Sequence, residues 1–136
     1  EKTSNSIDTK INIISREGTG IVELIEAGKM ISDEMTSLLK EHLQPFINSE
    51  IDALVLGCTH YPYLISQIKE IIKHKFQIID SGKAVAKQTK AILNQNQLNN
   101  TSNEIGFHQI LTNGEKRVLE QVVRQANNLS IRKGVF

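Results

Sequence analysis

The chain has 136 residues, 39% hydrophobic and 23% charged, enough for a single domain-sized core. Its formal charge of +1, with basic residues scattered among acids, gives no reason to expect a nucleic-acid partner. No apolar run approaches the roughly 18 residues that cross a bilayer, nothing reads as a signal peptide, and a lone cysteine excludes an internal disulfide, so no membrane partner and a reducing cytoplasm are expected.

Glu1 to Lys10 is polar and reads as the end of a preceding helix or a frayed terminus; because the chain starts at Glu1 and not Met, an upstream portion is expected. Ile11 to Ile14 predicts a short strand, closed by Ser15-Arg16-Glu17-Gly18-Thr19-Gly20. The Gly-x-Gly in that loop lacks the third glycine and the Lys-Ser/Thr ending of a phosphate loop, so it is read as an ordinary turn. In Ile21 to Gly28, Glu26 taken alone reads as a solvated helix residue. Ser32 is placed to cap a helix whose apolar face runs Met35, Leu38, Leu39, Leu43, Phe46 and Ile47, with a bend or restart expected at Pro45. His42 shares that face and reads as a satisfied interfacial histidine. The four histidines and one cysteine never approach a zinc-site spacing, so no metal is expected.

The centre of the chain is Ile51-Asp-Ala-Leu-Val-Leu-Gly-Cys-Thr-His-Tyr-Pro62. Ala53 to Leu56 has the length and branched content of a buried strand, and Gly57 breaks it. Leu64, Ile65, Ile68, Ile71 and Ile72 then fall on one helix face, with Pro62 suited to the first turn. Cys58 is thereby placed at a strand-to-helix turn, where unpaired N–H groups favour a thiolate or a substrate carboxylate. His60, two residues on, is placed to trade a proton with it. A buried structural cysteine is the competing reading, and these residues alone leave the two evenly matched.

Phe76 to Ile79 predicts another strand, ending at Asp80-Ser81-Gly82; capping of the next helix, Lys83 to about Leu93 with Val85, Ile92 and Leu93 inward, is the ordinary explanation for Asp80. Asn94 to Asn103 reads as a polar loop, and Ile105 to Leu111 as a strand containing Phe107 and His108. Thr112-Asn113-Gly114 turns into a helix with Val118, Leu119, Val122, Val123 and Ala126 inward, and Ser130 to Phe136 reads as frayed. Four strands separated by helices imply a mostly parallel sheet with right-handed crossovers, with Cys58, Glu26 and Asp80 near strand ends where ligands bind.

Leu56-Gly-Cys-Thr-His-Tyr-Pro62, preceded by an acid and an apolar strand, closely resembles the second active-site motif of the cofactor-independent glutamate racemases. Ile25-Glu26-Ala27-Gly28 is similar to a Val-Glu-Glu-Gly ending in that family, although Gly18 and Thr19 stand where the family has Cys-Pro. The strand, Thr-Gly turn and helix near the C-terminus extend the resemblance over nearly the whole chain, but only over the family's C-terminal half; its Asp-Ser-Gly and Cys-Asn-Thr-Ala motifs are not here. The resemblance implies an α/β fold of two parallel-sheet lobes, incomplete in this chain, with residues 1–75 part of the second lobe and 76–136 the C-terminal part of the first. It implies an amino-acid racemase (isomerase) independent of pyridoxal phosphate, with no cofactor and with glutamate as its small-molecule substrate. Cys58, His60 and Glu26 would be catalytic, and Cys58, Thr59 and His60 would bind substrate. Cellular expectations are D-glutamate supply for peptidoglycan and cell-wall biogenesis, cytoplasmic location, a homodimer when full length, and inactivity of the isolated piece. An aspartate or other racemase of the family is the near alternative, weighed against by His60, where those relatives tend to carry Glu; a non-catalytic remnant without the partner thiol is the other.

Overall fold

A computed structural model describes residues 11–104, 106–123 and 129–134. The expectations for Glu1 to Lys10, for Ile105 and Ala126, and for the last two residues lie outside them.

Helix α1, Ile21–Glu26, is short because Gly28 stops it: at φ 72° Gly28 donates to Ile25 O, while Lys29 N–H reaches back to Leu24 O. This is a Schellman ending, which satisfies the orphan carbonyls and leaves Glu26 in the final helical position. Ser32 caps α2, Asp33–Asn48, its hydroxyl accepting from Met35 N–H at 3.1 Å. The restart expected at Pro45 does not occur, and α2 runs on to Asn48. Pro45 deprives only the Glu41 carbonyl of its partner, and Glu41 lies on the exposed side near the helix end, where solvent can replace the bond.

Strand β1, Ala53–Val55, leads through the loop 56–60 into a single 3-10 turn, Tyr61–Leu64, and then α3, Ile65–Ile71. Pro62 stands in the opening turn, which is 3-10 and not α; Tyr63 N–H bonds back three residues to His60 O. β2, Gln77–Ile79, pairs parallel with β1, Leu54 opposite Ile78, and Leu56 N–H extends the ladder to Ile79 O. β1 is half-buried and not covered on both faces: Leu54 and Leu56 face the core while Val55 is exposed.

Every fully buried apolar side chain among the described residues falls between Ile21 and Ile72. Met35, Leu39 and Leu43 repeat every four residues along α2, Leu64, Ile68 and Ile72 do the same through α3, and these rows close on Ile21, Leu24 and Ile25 of α1.

The rest is thinner. α4, Gly82–Gln95, buries no residue, and the expected inward face of Val85, Ile92 and Leu93 is exposed, since nothing among the described residues covers it. β3, His108–Thr112, starts later than expected and leaves Phe107 outside and exposed. α5, Lys116–Val122, has Val118, Leu119 and Val122 half-buried. β4, Leu129–Lys133, pairs parallel with β3, so part of the segment read as frayed is strand; Leu129 and Ile131 alternate with Ser130 and Arg132, the period-2 pattern a short strand requires. The strand expected at Ile11 to Ile14 is absent: those residues pair with no described strand, and Ile11 and Ile13 are exposed. Among the described residues the parallel pairing holds, but as two two-stranded sheets in place of one continuous sheet.

Candidate active site

Cys58 sits on the loop at the carboxyl end of β1, half-buried, with Tyr61 N–H donating to its carbonyl at 3.3 Å. Its Sγ lies 3.8 Å from His60 Nδ1, and the other ring nitrogen of His60, Nε2, lies 3.2 Å from Glu26 Oε1. The structure thus brings Cys58, His60 and Glu26 into one line, although 32 positions separate Cys58 from Glu26. The carboxylate fixes the tautomer: with Nε2–H donating to Glu26, Nδ1 presents its lone pair to the thiol. A proton passing from Sγ to Nδ1 leaves a thiolate beside an imidazolium that Glu26 stabilises. Glu26 reaches this place from the last turn of α1, not from a strand end.

Thr59 is exposed beside Cys58 on the same loop. Asp80, directly after β2, is turned to local work: its Oδ1 accepts from Gly82 N–H at 2.8 Å, an Asx-type turn leading into α4, whose N-cap Ser81 makes no side-chain cap bond. His42 Nε2 lies 3.0 Å from Thr19 O, which makes it the donor, while Nδ1 is buried without a partner among the described residues. Among the described residues no three His, Cys, Asp or Glu side chains cluster as a donor set for a metal ion, and no helix is long and apolar enough to cross a membrane.

A cleft of about 430 Å³ opens between the Glu26–His60 pair and the β3–α5 turn, with Ile25, Tyr63, Thr112 and Val118 among its walls. Glu26 and His60 line this cleft and Cys58 does not. Tyr61 has no place in the sequence reading beyond its motif, yet its hydroxyl reaches Gly18 O at 3.5 Å. Burial pushes its phenol above the ordinary value, and the neighbouring Cys58 adds to the rise. Periodicity carries no signal for a contact spanning 43 positions.

A thiol at the end of a parallel strand is thus backed by an imidazole and a carboxylate within an α/β fold, an arrangement able to exchange a proton at sulfur. Comparison with known proteins narrows the class. No family model matches the chain. It is 34% identical over 122 residues to a glutamate racemase of Bacillus cereus, covering 90% of this chain and 45% of that protein. It is 40% identical over 88 residues to one of Pseudomonas putida, covering 65% and 33%. Among solved structures, a glutamate racemase isoform from Bacillus anthracis superposes with a TM-score of 0.69 at 25% identity, covering 98% of this chain and 51% of that one. The enzyme from Francisella tularensis, in complex with D-glutamate, gives 0.73 at 23% identity, covering 98% and 51%. Over most of its length the chain is similar to the C-terminal half of glutamate racemases, and it spans about half the length of the curated relatives it matches.

Proposed function

We propose that this chain supplies one of two thiols of a glutamate racemase, Cys58, for the cofactor-independent interconversion of L- and D-glutamate. The observation that carries this reading is the line from Cys58 Sγ to His60 Nδ1 and from His60 Nε2 to Glu26 Oε1. Inverting an α-carbon without a cofactor requires a base on one face and an acid on the other. A thiolate that takes the α-proton becomes the acid for the reverse direction, so a thiol on each face suffices. Cys58 serves one face; His60 and Glu26 hold its proton balance, and Thr59 binds the substrate through its hydroxyl and backbone N–H. The second thiol comes from the other half of the enzyme, because Cys58 is the only cysteine among these 136 residues.

In this reading residues 1–75 belong to the second lobe and 76–136 return to complete the first, and the uncovered face of α4 is where the first lobe continues. The complete enzyme works as a cytoplasmic homodimer and makes D-glutamate for peptidoglycan. The test is a fusion of this chain behind the N-terminal half of the Bacillus cereus relative, followed by circular dichroism of glutamate over time. Loss of optical activity from L-glutamate, abolished by Cys58→Ser, is expected; a folded fusion without racemisation overturns the enzyme reading.

A further inference from the structure

We draw no further inference here: the strongest candidate, the cleft of about 430 Å³ between the end of α1 and the β3–α5 turn, belongs to the site already described, since Glu26 and His60 form its wall and its two carboxylates, Glu26 and Glu115, are paired with His60 and Lys133.

Discussion

The His60–Glu26 pair contributes little to folding. Their side chains are 32% and 66% exposed, and ion pairs at such sites contribute about 0 to 1 kcal/mol. What the pair fixes is which nitrogen faces Cys58. Glu26→Gln should therefore leave the urea midpoint nearly unchanged while altering the pH profile of Cys58 alkylation; equal loss of both would make Glu26 a structural residue. Tyr61 shows the opposite balance. Its phenol is held above 10.0 in the folded chain, chiefly by burial, so folded protein retains a proton that unfolded protein releases. The unfolded state then binds fewer protons, and stability present below pH 10 is lost as pH rises through the folded value. Urea midpoints at pH 8 and pH 10.5 should drop further for wild type than for Tyr61→Phe. At this scale Cys58, Thr59 and His60 were legible because they are contiguous, and Glu26 because an acid-and-glycine ending resembles a family motif. The contact of Tyr61 with Gly18 was not, because it joins residues 43 positions apart and periodicity carries no sign of it.

Elements whose stability is local were the ones the sequence showed. α2 has its Ser32 cap and a four-residue apolar repeat, and α3 has the same repeat behind Pro62, so both fell near their expected places. Ile11 to Ile14 has strand-forming residues, but a strand needs a partner's hydrogen bonds, and no described strand supplies them. β4 was missed for the mirror-image reason, since it exists through pairing with β3 and a weak alternation of Leu129 and Ile131. Leu64 joins the 3-10 turn to α3 and is 1% exposed, directly beyond the Cys58 loop. Leu64→Ala should cost about 2 to 5 kcal/mol in urea unfolding. Ser32→Ala, which removes only a cap, should cost about 1 kcal/mol. A reversed order would place the fold's weight in capping and not in the α1–α2–α3 core.

Surface area sets the expectation for the whole molecule. Among the described residues much of the exposed surface is apolar: Val85, Ile92 and Leu93 of α4, Leu98, Phe107 and Leu111 all stand open to solvent, and residues beyond Ile72 contribute no fully buried side chain. Apolar surface of that extent drives association. In sedimentation velocity the chain alone should self-associate as its concentration rises, and the fusion to an N-terminal half should suppress the association by covering α4. On the proposed two-thiol reading the chain alone should also leave L-glutamate optically unchanged, because a single thiol serves one face of the α-carbon and half an enzyme neither excludes water nor orients the substrate. Racemisation by the isolated 136-residue chain, lost on Cys58→Ser, would refute the requirement for a second thiol unless self-association places two copies of Cys58 across one substrate. Dilution separates those cases: a specific activity that falls with concentration marks a shared site between copies, whereas one that stays constant marks a single-thiol mechanism.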